Sequence, residues 1–270
     1  MIEALQFDFM RHAIYAGLLA ALICGMIGSL VVVKRIVFIA GGIAHAAYGG
    51  CGIAIYAGIP ILISTLGFSV GITMLMAAIT LRQKHRADTI IGILWAAGMA
   101  IGIILTDLTP GYQGELMGYL FGGILAVPGY EIYWMSTVSF VIFCLLTLFY
   151  RQFLALAYDE EFARVRGVEV DGLYLLLLLM IAVSVVVVIR VVGLILVLAL
   201  LTIAPMIVER YVRSLAWMMF FSVLINLCFV IGGLWLSYSF NLTSGASIVL
   251  VGVAGYSVAQ IPVFVNRFLK

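Results

Sequence analysis

The stretch that decides the fold runs from Ala155 to Gly172 and reads Ala-Leu-Ala-Tyr-Asp-Glu-Glu-Phe-Ala-Arg-Val-Arg-Gly-Val-Glu-Val-Asp-Gly. Seven of these eighteen residues are charged, in a chain of which only 10% is charged. Apolar runs long enough to cross a bilayer flank the stretch on both sides. Because a segment this polar cannot remain in hydrocarbon, it must lie in water at a membrane face.

The order of charge within this stretch predicts a short helix. Acidic residues come first and arginines follow, in the order Asp159, Glu160, Glu161, Arg164 and Arg166. Such an order favours a helix because acidic groups stabilise the N-terminal end of the helix dipole and basic groups the C-terminal end. Gly167 then predicts where the helix ends. The residues alone leave two interpretations open, a solvated loop between membrane helices or a docking helix for a soluble partner.

The composition predicts an all-α, polytopic integral membrane protein. Of the 270 residues 66% are hydrophobic, and the mean hydropathy is +1.27. We therefore expect a single transmembrane domain over residues 1–270 and no soluble domain. The acidic N-terminus lacks the basic region of a signal peptide, which predicts that none is removed. Scattered cysteines within apolar runs predict single buried thiols, at Cys24, Cys51, Cys144 and Cys228.

Clustered positive charges predict how often the chain crosses the membrane. Twelve of the fourteen Lys and Arg residues fall in five clusters, at Lys34–Arg35, Arg82–Arg86, Arg151–Arg166, Arg210–Arg213 and Arg267–Lys270. If these clusters face the cytoplasm, each apolar stretch between them must hold an even number of spans, and a span needs about 20 residues. With the first span at Ala13–Val33, this counting predicts nine spans, the N-terminus outside and the C-terminus inside. Eight or ten spans remain open.

Two features lie outside this counting. The run from Leu116 to Val127 is apolar but only 12 residues long, with Thr109-Pro110-Gly111 before it and Pro128-Gly129 after it. Because the run is too short to cross, it predicts an interfacial or re-entrant helix at the outer face. Arg190 stands alone at the predicted outer turn between two spans, and we expect its side chain to extend to the lipid headgroups.

One histidine lies within a predicted span. His45 follows Gly41 and precedes Gly49 by one helical turn each, so the three residues share a helix face. Small residues on that face let another helix approach closely, and an ionisable group at this depth usually faces the protein interior or an aqueous path. The spacing leaves open a neutral, hydrogen-bonded histidine or a metal or substrate ligand, and one imidazole alone cannot complete a metal site.

No combination of residues in the sequence predicts catalysis. The chain lacks the His-Glu-x-x-His pattern of zinc proteases. The phosphate-binding pattern Gly-x-x-x-x-Gly-Lys-Thr is missing as well. We therefore expect a non-catalytic membrane protein that does not hydrolyse nucleotides itself.

Four regions, in order along nearly the whole chain, resemble motifs of one family of transporters. They are Lys34-Arg35 with Ile39-Ala-Gly-Gly-Ile-Ala-His-Ala, then Leu120-Phe-Gly-Gly-Ile-Leu, then Tyr158-Asp-Glu-Glu-Phe-Ala with Gly167-Val168, and last Val192-Gly-Leu-Ile-Leu-Val through Pro205 with Thr243-Ser-Gly-Ala-Ser-Ile-Val-Leu. In that family the first two read as a basic turn followed by Gly-Asp-x-x-x-His, and as Leu-Phe-Gly-Asp-x-Leu. The chain therefore resembles the permease subunits of ATP-binding-cassette (ABC) importers for zinc, manganese and iron.

The resemblance implies an ABC importer permease fold and a role as the passive, gated conduit for a divalent metal. It implies a homodimer in a prokaryotic plasma membrane, a cytoplasmic ATPase subunit that uses the ATP, an extracytoplasmic substrate-binding protein, no permanent cofactor and no nucleic acid. His45 would contact the metal transiently. Segment 155–172 would be the cytoplasmic coupling segment, with docking residues Asp159, Glu160, Glu161, Phe162, Ala163 and Gly167.

The chain departs from the family pattern at two acidic positions. Gly41 stands where the family commonly has Asp four residues before the histidine, and Gly123 stands where it commonly has Asp after Leu-Phe-Gly. Both replacements remove hard oxygen ligands or attracting charge from the expected path, which Gly41, Gly49 and Gly123 would line or pack. An importer of a metal chelate or organic solute therefore remains open. The alternative from another class, a secondary transporter without an ATPase, often has inverted repeats and midplane charges, which this sequence does not show.

Overall fold

Eleven α-helices make up most of the computed structural model, which describes residues 7–82, 86–109, 118–119 and 122–268, with side chains up to residue 261. In chain order they are α1 (Asp8–Val33), α2 (Val37–Ala57), α3 (Ile61–Arg82), α4 (Ala87–Asp107), α5 (Gly129–Leu148), α6 (Tyr150–Tyr158), α7 (Glu160–Val165), α8 (Val170–Val192), α9 (Leu194–Val208), α10 (Leu215–Phe240) and α11 (Ser244–Phe268). No β-strand occurs in these described ranges, and the predicted all-α fold is confirmed.

The long helices agree with the predicted number of membrane spans. Among the described residues, eight helices are long and apolar enough to cross a bilayer, namely α1 to α5, α8, α10 and α11. Helix α9 is apolar but has 15 residues, so it is about 22 Å long and shorter than the hydrocarbon core. Eight to nine membrane helices are thus confirmed, with α9 as the short ninth. The turn predicted at Arg190 lies instead at Gly193, whose φ of +82° suits glycine.

The centre of the molecule is formed by α1, α2 and α8. In their most apolar segments 78%, 78% and 72% of the residues are buried, against 22% to 39% in the other long helices. Small residues let α9 and α10 approach α1 closely: a Cβ added at Gly28 would lie 2.3 Å from the Leu201 carbonyl oxygen, and one at Gly25 would lie 2.6 Å from Val223. Because lipid is as apolar as these side chains, close van der Waals contact holds the helices together.

The described part of segment 116–127 enters the helix bundle. Outside the described residues lie Leu116, Met117, Leu120 and Phe121. The Tyr119 hydroxyl donates to the Ala44 carbonyl in the middle of α2 over 3.0 Å. The helical pattern predicted for this segment is interrupted at Gly122, which has a φ of +67°, and a Cβ there would lie 2.3 Å from the Val192 carbonyl carbon. The helix breaks because the chain passes the α8–α9 junction too closely for a side chain.

Polar contacts bring three connections together at one end of the bundle. Lys34, in the α1–α2 turn, donates to the Leu156 carbonyl over 2.7 Å and forms an ion pair with Glu160. The Tyr150 hydroxyl accepts from the Ala216 backbone N–H over 3.1 Å, which places the start of α10 beside the start of α6. Three of the positive clusters therefore share one end of the molecule, as the charge pattern predicts.

Candidate functional site

The middle of helix α2 is buried except at one residue. From Ile39 to Gly52 every residue is buried except His45, which is half-buried. The Nδ1 atom of His45 is itself buried and has no hydrogen-bond partner within the described part of the chain. Buried polar atoms nearly always have partners, so this unpartnered nitrogen, in a ring that is only half-buried, marks His45 as a candidate for binding a passing group.

Glycines bring α4 very close to α2 at this point. A Cβ added at Gly49 would lie 2.8 Å from the Gly98 carbonyl oxygen, and one at Gly98 would lie 2.7 Å from the Cα of Ala46. At this separation the ring of Trp95 stacks on the ring of His45, with centroids 4.1 Å apart and planes inclined by 19°. Sequence spacing could not identify Trp95, because the contact depends on how closely two separate helices approach.

The three glycines predicted on the path have different surroundings. A Cβ at Gly49 would collide with the Phe68 ring at 2.7 Å. A Cβ at Gly41 would meet only the Leu198 Cδ2 atom, at 3.8 Å, and one at Gly123 would meet nothing within 4 Å. A larger side chain therefore fits at the two positions where the sequence lacks the expected Asp, and it does not fit at Gly49.

The structure does not gather a complete set of metal ligands around His45. Within the described ranges, no group of three or more His, Cys, Asp and Glu side chains lies close enough to hold a metal ion. A tetrahedral zinc site needs about four ligands. One imidazole from this chain therefore provides only weak ligation, which suits a group that must release what it binds.

A buried ion pair lies at the end of the bundle opposite to Lys34. Arg190, near the end of α8, pairs with Glu131 in the first turn of α5, and their side chains are 18% and 5% exposed. The predicted extension of Arg190 to the headgroups is wrong, because this carboxylate provides a charge-assisted partner inside the protein. The pair lines a cavity of about 400 Å³ together with Tyr119 and Gly123. Sequence analysis missed Glu131, which is marked only by its place just after Pro128-Gly129.

The predicted short cytoplasmic helix is present as α7, with a cap at each end. The Asp159 side chain accepts a hydrogen bond from the Phe162 backbone N–H over 2.9 Å. At the other end, the Val168 backbone N–H donates to the Ala163 carbonyl over 3.0 Å, and Gly167 has a φ of +79°. The helix and its glycine stop are thus confirmed. Both caps are local interactions, and the sequence pattern predicts the one at Gly167.

Helix α7 has one face toward the protein and one toward solvent. Ala163 is fully buried, and Glu160 pairs with Lys34. The solvent face carries Glu161, with Phe162 at 51% and Val165 at 87% exposure. A groove of about 510 Å³ runs beside Phe162. Apolar side chains exposed on a polar segment are typical of a surface that contacts another protein.

A family match extends over nearly the whole chain. Residues 6–261 match the family described as ABC-3, the ABC 3 transport family. The chain belongs to the ABC 3 transport family. It is therefore a multi-pass protein of the plasma membrane and a permease subunit for metal ion transport by an ABC transporter.

Several curated proteins resemble this ABC 3 permease over most of their length. An uncharacterized membrane protein of Synechocystis sp. is 46% identical over 259 residues, covering 96% of this chain and 92% of that one. A probable metal transport system membrane protein of Chlamydia pneumoniae is 33% identical, covering 90% and 85%. The manganese transport system membrane protein MntC of Listeria monocytogenes is 28% identical, covering 94% and 91%.

Two solved structures share the fold of the ABC 3 permease. PsaBC from Streptococcus pneumoniae, in complex with Fab, superposes with a TM-score of 0.87 at 27% identity, covering 96% of this chain and 94% of that chain. An inward-facing ABC transporter described as metal-chelate type superposes with a TM-score of 0.73 at 19% identity, covering 92% and 84%. The second likeness shows the fold alone.

Proposed function

We propose that this ABC 3 permease is the gated conduit of an ATP-driven importer for a divalent metal ion, which is zinc, manganese or iron. Two copies line the path between them, cytoplasmic ATPase subunits drive its opening, and an extracytoplasmic binding protein delivers the ion. The observation that carries the proposal is the single opening in the buried length of α2, at His45. An ionisable side chain at membrane depth with one open side suits a path through the protein.

The contacts of Lys34 support a route by which ATP-driven movement reaches the path. ATPase closure shifts α7, and Lys34 follows because it is bonded to the Leu156 carbonyl and to Glu160 beside that helix. Helix α2 begins at Val37, directly after the turn that contains Lys34. Since a helix moves as a nearly rigid element, a shift at its cytoplasmic end also moves His45 between outward and inward access.

The ligand chemistry at His45 sets an expectation for the metal. Imidazole suits zinc, whereas manganese prefers carboxylate, carbonyl and water oxygens. The two family carboxylates are replaced by Gly41 and Gly123 in this chain. We therefore expect zinc to compete best, and the manganese transport named for the Listeria relative makes a direct comparison of the metals necessary.

The test is transport of zinc, manganese and iron by the permease reconstituted with its ATPase and binding protein. Glutamine keeps the ability to hydrogen-bond but is a poor ligand for borderline metals, so His45→Gln is expected to lower transport by about tenfold or more. The matched control is His12→Gln, since His12 bonds the Val127 carbonyl at the outer edge of the bundle. Wild-type rates for every metal in His45→Gln would disprove the proposal.

A second candidate keeps the same machine but carries a metal chelate or an organic solute. The observation that favours it is the open space at Gly41 and Gly123, where a Cβ meets at most one atom within 4 Å. Larger cargo needs that space, and a bare ion does not. The two candidates are distinguished by a competition experiment. Transport of free metal is measured at its half-saturating concentration while a stable metal chelate is added. Only an importer that binds chelates is inhibited by the intact chelate.

A further inference from the structure

Trp95 lies at the same depth in α4 as His45 in α2 and contacts α2 at two places. Its ring stacks on His45 at 4.1 Å and lies 6.0 Å from the Phe38 ring at an inclination of 51°. Phe38 and His45 are two helical turns apart on α2, so the indole fills the interval between them. Both Trp95 and His45 remain half-buried, and neither is enclosed by the protomer.

The stack replaces the usual way in which a histidine ligand is held. A metal-binding imidazole generally donates its second ring nitrogen to a carboxylate or carbonyl, which determines the orientation of the ring. His45 Nδ1 has no such partner in the described part of the structure. The nitrogen lone pair lies in the plane of the ring, so a metal approaches the edge of the imidazole. Stacking on its face fixes that plane without using either ring nitrogen.

We propose that Trp95 is a positioning residue for the transported metal, which holds the His45 ring plane so that a nitrogen edge faces the path. The inference rests on the proposed function, because it assumes that His45 contacts the ion. The close approach of α2 and α4 occurs at glycines near Trp95, such as Gly49 and Gly98. Replacement of Trp95 is therefore expected to leave the helix pair assembled.

The first test compares Trp95→Leu with Trp95→Phe in the reconstituted transporter. Leucine removes the flat face, and we expect metal transport to fall roughly tenfold, the usual effect of losing a group that orients a metal ligand. Phenylalanine keeps a face for stacking and is expected to retain most of the wild-type rate. Trp235→Leu is the matched control, because Trp235 is 52% exposed on α10.

The outcomes separate this inference from the proposed function. If His45→Gln is inactive while Trp95→Leu transports at the wild-type rate, the positioning role is wrong and the metal path stands. If His45→Gln is fully active, both are wrong. In the double variant His45→Gln, Trp95→Leu, we expect no loss beyond that of His45→Gln alone, since Trp95 acts through His45.

A second measurement reads the geometry directly and does not depend on a Trp95 variant. With Trp134, Trp217 and Trp235 replaced by Phe, Trp95 is the one remaining tryptophan of the chain. Cobalt bound at His45 would lie next to the indole and quench its emission. We expect saturable quenching by cobalt that His45→Gln abolishes. Equal quenching in both proteins, or none in either, would overturn the inference.

Discussion

Glu131 and Arg190 show at the scale of single residues how this protein keeps charge inside a membrane domain. The carboxylate is 5% exposed and its Oε2 atom has no hydrogen-bond partner among the described residues, so Arg190 provides the compensating charge. An isolated carboxylate at such a site is unfavourable because burial removes its hydration. The pair therefore joins the start of α5 to the end of α8 beside the outer cavity.

Removing one partner of this pair is expected to cost far more than removing both. Arg190→Met leaves an unpaired buried carboxylate, which costs roughly 3–5 kcal/mol, whereas an apolar pair of similar size is close to neutral. We expect Glu131→Leu combined with Arg190→Met to regain most of the loss. Denaturant unfolding of the purified permease in detergent measures the free energies. Unchanged stability in Arg190→Met would mean that the arginine does reach the headgroups.

Gly41 is the position where an acid is expected to alter metal retention. A carboxylate in Gly41→Asp would lie one turn before His45 on the same face, and the nearest neighbour of its Cβ is 3.8 Å away. The added oxygen ligand favours harder ions, so manganese should be retained longer and released more slowly than in the wild type. Equilibrium binding and single-turnover release of manganese measure both effects. Gly41→Asn controls for size, and an equal effect of Asn would contradict the role of charge.

At the scale of elements, α7 separates residues that hold the fold from residues that are free to dock. Glu160 pairs with Lys34, while Glu161 and Phe162 face solvent. Glu161→Lys with Phe162→Ala is therefore expected to leave the permease folded but to abolish co-purification of the ATPase and metal-dependent ATP hydrolysis. Full ATPase binding by this variant would contradict the docking role of α7.

Glu160→Gln is the comparison for that experiment. It weakens a contact within the permease, because a charged hydrogen bond to Lys34 contributes about 1.5–3 kcal/mol. We expect a lower unfolding temperature with the ATPase still bound. If the Glu161→Lys, Phe162→Ala variant loses the ATPase but stays stable, and Glu160→Gln keeps the ATPase but loses stability, the two roles are separate. Docking then belongs to Glu161 and Phe162, and folding to Glu160.

At the scale of the whole molecule, the shared end of Lys34, α7 and the start of α10 predicts the orientation in the membrane. Because positive clusters favour the cytoplasmic side, we expect this end to lie in the cytoplasm. Val165 and Leu242 are suitable labelling sites because they are 87% and 50% exposed and avoid the strained backbone of Gly167 and Asn241.

In a background with the four native cysteines replaced by Ala, Leu242→Cys should react with an impermeant maleimide in intact cells. Val165→Cys should react only after the membrane is opened, because the charge pattern predicts that α7 lies in the cytoplasm. Permeabilised cells provide the control that both thiols are reactive. Labelling of Val165→Cys in intact cells would reverse the orientation and remove α7 from contact with a cytoplasmic ATPase.

The sequence by itself determined the all-α membrane class, the eight to nine helices and the short helix α7 with its glycine stop. These features depend on the transfer of about 20 consecutive residues into lipid or on hydrogen bonds between residues a few positions apart, such as Asp159 with Phe162. The family motifs added the transporter class, because they occur in the same order over most of the chain. Local composition is therefore sufficient wherever the stabilising interaction is itself local.

Only the tertiary structure decided which distant side chains meet. Lys34 and Glu160 are 126 positions apart, and the Trp95 stack on His45 requires glycines to bring α2 and α4 together. The burial of Arg190 against Glu131 likewise reverses what an isolated helix end predicts. In a bilayer, apolar helices gain little free energy from being buried away from lipid. Differences in van der Waals packing therefore determine which helices associate. Hydropathy along the chain does not record those differences.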